Sequence, residues 1–151
     1  LIATVITMLT NDLLKQAKHT CQIRGARFTP AREQVFKILA AHKGAMGAYD
    51  LLDQLKKIDP SAKPATIYRA LDFLGKQGFV HKIESINAFV ICHHFSDCNH
   101  PVQLLICDLC DYVEEIQSND LDASLKMMAS TKGFAINHQI VEAHGTCKNC
   151  Q

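Results

Sequence analysis

Two pairs of cysteines carry the plainest chemistry in this chain. Cys107-Asp-Leu-Cys110 and Cys147-Lys-Asn-Cys150 supply four thiolates, and each Cys-x-x-Cys pair can hold two corners of a tetrahedron. The 36 residues between the pairs exceed a simple zinc-ribbon spacing, so a helix and a strand must fit between them. A closed site of four cysteines that ties the residues near position 150 to an internal strand reads as structural zinc, which stabilises a domain too small to rest on its core alone. A thioredoxin-like redox use is disfavoured, because neither pair falls between a strand and a helix of a βαβ unit.

A second set of ligand types lies between these extremes. His81 and Cys92 fall on an expected hairpin, His93, His94, Cys98 and His100 follow in the next loop, and Glu114 and Glu115 sit on the following strand. A set with one thiolate, imidazoles and a carboxylate favours zinc over metals that prefer hard oxygen ligands. Drawn from both halves of the chain, it would join them as a sensor site should. A histidine beside apolar strands is more often a satisfied structural group, which weighs against His93 and His94. His138 and His144 flank the last strand as a weaker further pair. Cys21 reads as a small buried hydrophobe in the first helix, and Cys98 as an unassigned loop thiol.

The third constellation faces an anion. In Lys63-Pro-Ala-Thr66-Ile-Tyr68-Arg69-Ala-Leu71, a lysine stands at a helix start, a threonine in its first turn and a Tyr-Arg pair one turn in. A helix that enters the major groove reads bases from its N-terminal turns, where arginine matches guanine and tyrosine meets a thymine methyl or a phosphate. Arg24, Arg27 and Arg32 add a basic cluster just before and within the second helix. The net charge is only +1, but residues 1–84 hold 13 basic and 7 acidic side chains while residues 85–151 hold 3 and 8. Each residue alone fits the solvated face of an ordinary helix; together with that asymmetry they point to double-stranded DNA as partner.

The elements that must position these groups follow from periodicity. At 151 residues and 48% hydrophobic, the chain suits one or two compact domains and excludes a disordered protein. Helical spacing covers Asn11–Cys21 up to Gly25. Thr29-Pro30 starts a second helix with Val35, Phe36, Ile38 and Leu39 inward, closed by Gly44 and Gly47. A third runs from Ala48 to Ile58, and a fourth from Pro64 to Gly78 with Ile67, Ala70, Leu71 and Leu74 inward. The period then becomes two, with Phe79–Glu84 and Ala88–Cys92 forming a hairpin. A second unit follows, with strands Val102–Ile106, Tyr112–Ile116 and Phe134–Glu142 around a helix Leu121–Lys132. The expectation is α+β, with a winged helix-turn-helix domain at 1–85 and a small α+β dimerisation domain at 88–151.

Seven cysteines with two Cys-x-x-Cys pairs and no signal peptide imply reduced, metal-binding thiols in a cytoplasmic protein. Leu1–Leu9 is apolar but too short to span a bilayer, and no small-residue cleavage site follows; Met8 is read as a native start, with Leu1–Thr7 ahead of it.

At this point the residues resemble a known family. Arg27-Phe-Thr-Pro-Ala-Arg32, Tyr49-Asp-Leu-Leu, Pro64-Ala-Thr-Ile-Tyr-Arg-Ala-Leu71 and both Cys-x-x-Cys pairs are similar to the ferric uptake regulator superfamily over nearly the whole chain. Gly78-Phe-Val-His-Lys-Ile-Glu-Ser85 and Phe89-Val-Ile-Cys-His93 resemble its zinc-uptake branch in particular. The resemblance implies a homodimeric, zinc-responsive repressor of metal-uptake genes with one structural and one regulatory zinc per chain. It assigns Cys107, Cys110, Cys147 and Cys150 to the structural site, and His81, Cys92, His100 and Glu115 to sensing. Tyr49 and Arg69 match its base-reading positions, and Arg27 its basic residue near the minor groove. Lys63, Thr66 and Tyr68 complete the expected DNA-binding set.

Two departures stand out. The histidine-rich run of the iron branch is reduced here to His93-His-Phe-Ser-Asp-Cys-Asn-His100, leaving the fourth sensing ligand open between His100 and Cys98. The common glycine after the second paired cysteine is Asp111. An iron, nickel or peroxide sensor of the same superfamily is the near rival. A zinc hydrolase or deaminase is the distant one: the His-x-Glu and Pro-Cys-x-x-Cys pattern of the deaminases is missing, and no nucleophile has a positioned base. No enzyme activity, small-molecule substrate or membrane partner is therefore expected.

Overall fold

The computed structural model describes residues 2–95 and 100–151. The chain divides into two compact units, Leu1–Cys98 and Asn99–Gln151.

The first unit holds four helices, α1 (Ile2–Ile23), α2 (Pro30–Ala41), α3 (Ala48–Lys56) and α4 (Pro64–Lys76), with strands β1 (Met46–Gly47), β2 (Val80–Ile83) and β3 (Ala88–Ile91). Helix α1 begins nine residues before the expected Asn11. It ends as the sequence predicts, at Gly25, whose φ of +65° admits a Schellman cap in which Ala26 N–H reaches Cys21 O at 2.8 Å. Helix α4 ends in the same way, with Gly78 at φ +75° and Phe79 N–H on Leu74 O at 2.9 Å. Thr29 does precede α2 in extended geometry, but its hydroxyl makes no capping hydrogen bond, so the fixed φ of Pro30 carries that start. Gly44 and Gly47 lie beyond the end of α2 at Ala41, and α3 stops at Lys56 rather than Ile58.

Helices α2, α3 and α4 each turn an apolar stripe inward, and Val35, Phe36, Leu39, Leu51, Leu55, Ile67 and Leu74 are almost wholly buried. Five phenylalanines lock this core. Phe36 meets Phe28, Phe79 and Phe95 edge-on at 5.9–6.2 Å between centroids. The hairpin β2–β3 pairs Val80 with Ile91 and Ile83 with Ala88, and its turn is one 3-10 turn closed by Asn87 at φ +47°. Strand β1 adds to the other side of β3, giving the order β1-β3-β2. Two residues long, β1 leaves no period for a sequence reading to detect.

Because β3 belongs to this sheet, the boundary between the units lies at 98–99 and not at the expected 85–88. A hairpin cannot be divided without breaking its ladder.

The second unit is a three-stranded sheet of order β5-β4-β6 with one helix: β4 (Val102–Cys107), β5 (Val113–Ile116), α5 (Asn119–Thr131) and β6 (Ile140–Gly145). Strands β4 and β5 are antiparallel around the first Cys-x-x-Cys, and β6 runs parallel to β4 with Cys107 opposite Gly145. The last strand thus starts six residues later than the expected Phe134; Phe134 is exposed, and the ladder begins only at Ile140. Gln103 is buried, and its side-chain amide exchanges two 3.0 Å hydrogen bonds with the backbone of Ser118, which in turn caps Leu121 N–H at 3.3 Å. One polar residue in an apolar strand therefore fixes where α5 begins.

Candidate metal centres and nucleic-acid interface

Within the second unit, Cys107, Cys110, Cys147 and Cys150 bring their sulfurs within 4.8 Å of one another. Backbone geometry does the gathering. Cys107 ends β4, the left-handed Asp111 (φ +56°) turns the chain back into β5, and Asp108 N–H holds Gly145 O at 2.9 Å, which brings the second pair alongside the first. The Cys110 and Cys147 sulfurs are 3.7 Å apart. Zinc–sulfur bonds of about 2.3 Å in a tetrahedron require about 3.8 Å between sulfurs, so the set fits a zinc ion.

Electrostatics agree with that fit. Donation from Cys147 N–H, with help from Leu109 N–H, draws the Cys107 thiol down to about 6, while the neighbouring thiols of Cys110 and Cys147 push Cys150 up to about 12. Four thiolates so close together repel one another, and a divalent cation at their centre removes that conflict.

The second ligand set divides between the units. In the first, Val80 pairs with Ile91 and Cys92 N–H bonds Phe79 O at 2.8 Å, so Cys92 stands opposite Phe79. His81 is two residues along from Phe79 and therefore shares a face with Cys92. Cys92 is fully buried, and its sulfur accepts from His94 N–H at 3.3 Å. In the second unit, His100 Nε2 lies 2.7 Å from Glu115 Oε1, with side chains only 9% and 6% exposed. Glu114, the alternative carboxylate, lies 3.3 Å from the Tyr112 hydroxyl instead. His93 and His94 are exposed. Cys98, the other candidate for the fourth ligand, lies outside the described residues. His138 is exposed and His144 is taken up elsewhere: its Nδ1 is 2.9 Å from Asp108 and its Nε2 3.5 Å from Glu142, carboxylates that raise its affinity for a proton, Asp108 foremost.

On the surface expected to meet DNA, α4 presents Tyr68, half exposed at 50%, and Arg69 outward while Ile67, Ala70, Leu71 and Leu74 face the core. Tyr49, at the start of α3, is 71% exposed. Lys63 is exposed as the N-cap of α4, and Arg27 is exposed in the α1–α2 loop. Thr66 differs from the rest: half-buried, its hydroxyl accepts from Lys63 N–H at 3.4 Å and so closes the helix start. The three-arginine cluster also separates. Arg24 donates to Gln77 O at 2.7 Å, and Arg32 donates to Arg27 O while its guanidinium lies 3.7 Å over the Phe73 ring. Nothing in the spacing of these arginines distinguished the two engaged ones from the exposed Arg27.

Fold and site together fit a winged-helix regulator with a four-cysteine cluster that could hold a metal ion. The chain belongs to the ferric uptake regulator family, whose model matches residues 23–144. It is 45% identical over 141 residues to the zinc uptake regulation protein of Escherichia coli strain K12, covering 93% of this chain and 82% of that protein. Among solved structures, it superposes on a zinc uptake regulator complexed with zinc and DNA with a TM-score of 0.90 at 45% identity, over 93% of this chain and 94% of the other. It matches holo XcZur with a TM-score of 0.85 at 41% identity, over 93% and 97%. The family is one of regulators and not of enzymes. No helix of the described residues is long and apolar enough to cross a membrane.

Proposed function

We propose that this chain is a zinc-responsive, DNA-binding repressor of zinc-uptake genes, acting in the cytoplasm as a homodimer with one structural and one regulatory zinc per chain. The observation that carries the reading is the thiol and imidazole sharing one face of the wing, Cys92 and His81. A thiol and an imidazole set side by side on the DNA-binding unit are two of the ligand types that zinc favours. With His100 and Glu115 they form the sensing set, and Cys107, Cys110, Cys147 and Cys150 form the structural one. Zinc, when bound to the sensing set, links groups contributed by both units and so favours one arrangement of them over others. That differential affinity is what shifts the population toward the DNA-binding form.

In this reading Tyr49 and Arg69 read base edges, Tyr68 and Lys63 meet the backbone beside them, and Arg27 enters the neighbouring minor groove. Thr66 supports the set by closing the start of α4. The homodimer is supported by α5, which buries none of its residues, and by the exposed Met127, Met128, Phe134 and Ile140 around it.

The test is duplex binding by chelated protein under stepwise addition of Zn, Fe(II), Mn and Ni, beside metal analysis and a Cys92→Ser variant. Zinc should restore binding at the lowest free concentration. Cys92→Ser should keep about one tight zinc per chain and its dimer, yet lose the zinc response, since a serine hydroxyl is a poor zinc ligand at neutral pH. A normal zinc response in Cys92→Ser, or a response to iron ahead of zinc, sinks the proposal.

A further inference from the structure

Arg24 and Arg32 belong by sequence to the basic cluster expected on DNA, yet both guanidinium groups also hold partners within the first unit. Arg24 sits at the C-terminal cap of α1 and its Nη1 reaches the carbonyl and the side-chain oxygen of Gln77, the C-terminal cap of α4, at 2.7 and 3.3 Å. A cation there also meets the negative end of the α4 dipole. Arg32, on α2, donates Nη1 to the carbonyl of Arg27 and lays its guanidinium plane 3.7 Å over Phe73 of α4. Phe73 also stacks on Phe28, the residue after Arg27, with centroids 6.1 Å apart and planes 29° from parallel. One side chain therefore touches both the loop that carries Arg27 and the half-buried flank of the helix that carries Tyr68 and Arg69, one turn beyond Arg69.

We infer that Arg32, backed by Arg24, is a positioning residue for sequence reading: its guanidinium fastens the Arg27 loop to the flank of α4 one turn beyond Arg69, so that the loop and the recognition helix meet DNA as one rigid piece. The inference rests on the DNA-binding reading above. Its physical basis is the shape of the group. A planar fork can stack on Phe73 and donate sideways to a carbonyl at once, which an ammonium cannot. Base readout depends on bidentate geometry and is lost when the helix and loop drift apart, whereas phosphate attraction tolerates such drift.

That difference sets the experiment. The probe is a duplex that the zinc-loaded wild-type protein selects from a random library, compared with an unselected duplex of equal length across a salt series. Arg32→Lys keeps the charge and removes the plane. It should weaken binding to the selected duplex roughly tenfold, leave the unselected duplex and the salt slope unchanged, and retain the full zinc content. Phe73→Leu removes the stacking platform without altering any charge, and should reproduce the same selective loss. Equal loss on both duplexes with a slope reduced by about 0.9 would make Arg32 a phosphate contact and overturn the inference. Equal loss with an unchanged slope and an earlier melt would reduce it to a general fold residue, and full selectivity in Arg32→Lys would also overturn it. Should wild-type protein enrich no duplex, the DNA-binding reading itself falls, and this inference with it.

Discussion

Helices α4 and α5 are both 13 residues long, and they are held in opposite ways. Helix α4 buries Ile67, Ala70, Leu71 and Leu74 in the core of its own unit; α5 fully buries none of its residues, with Leu125 and Ala129 only half-buried. The same contrast runs through the two units. The first has a continuous apolar core around five phenylalanines, while the second relies on buried side chains of β4, the Gln103–Ser118 clamp and four thiols. A helix gains most of its stability from the face it packs, so α5 depends on what joins it from outside its own unit or on what ties that unit together. A 53-residue unit of this kind is below the size at which a core alone suffices.

The largest way to break this contrast is to remove the tie. Structural zinc in small thiolate sites is worth about 10–16 kcal/mol at neutral pH. Cys110→Ser should therefore cost the second unit its tight zinc, its cooperative melt and its dimer, while amides in α2 and α4 keep their protection. Zinc stoichiometry, sedimentation and hydrogen exchange on one sample would show this. Loss of protection in both units together would mean that they do not fold independently.

Next in size is the reciprocal change. Phe79 is fully buried among Phe28, Phe36 and Phe95. Phe79→Ala should cost about 3–5 kcal/mol and destabilise the first unit. On the proposed assignment, zinc at the four cysteines should remain bound, because all four lie in the second unit. Denaturant melts followed by metal analysis would separate the outcomes.

A smaller effect should leave both units intact. Arg69 faces outward from α4, so Arg69→Ala should not change either melt, yet should cost about 1–3 kcal/mol of specific DNA binding. Loss of the same size on random duplex would make it a phosphate contact instead.

The contrast also explains which parts were legible. In the first unit, apolar periodicity matched burial along α2, α3 and α4, because each helix packs on the same core. In the second, β6 was placed six residues early, since its residues are mostly exposed and carry no inward-facing pattern. Cysteine spacing had no such weakness: the two Cys-x-x-Cys pairs named their own neighbours, and the chain brings all four together. Charge counting was coarse in a different way. It grouped Arg24 and Arg32 with Arg27, because composition cannot say which guanidinium also holds a carbonyl or a ring of its own unit. Gln103 was passed over for a related reason, a lone amide in an apolar strand having no motif around it.

The smallest prediction concerns a backbone need that the units share. Among the described residues, each has one other than glycine in left-handed conformation, Asn87 at the turn of the wing and Asp111 after the second thiol of the first pair. Asparagine tolerates that region, and the first unit's core holds its turn in place regardless. Asp111 must adopt it in the unit with less to spare, at the point where the chain reverses to aim Cys110 back at Cys147. A side chain in this conformation costs about 1–2 kcal/mol, part of which glycine's greater freedom in the unfolded chain takes back. Asp111→Gly should thus stabilise the zinc-loaded second unit by at most about 1 kcal/mol, a rise of at most about 4–8 °C in its melting temperature by calorimetry. Asn87→Gly should move the first unit less. Destabilisation by Asp111→Gly would show that the carboxylate has a task of its own beside the thiols, and that the turn is held by more than its backbone.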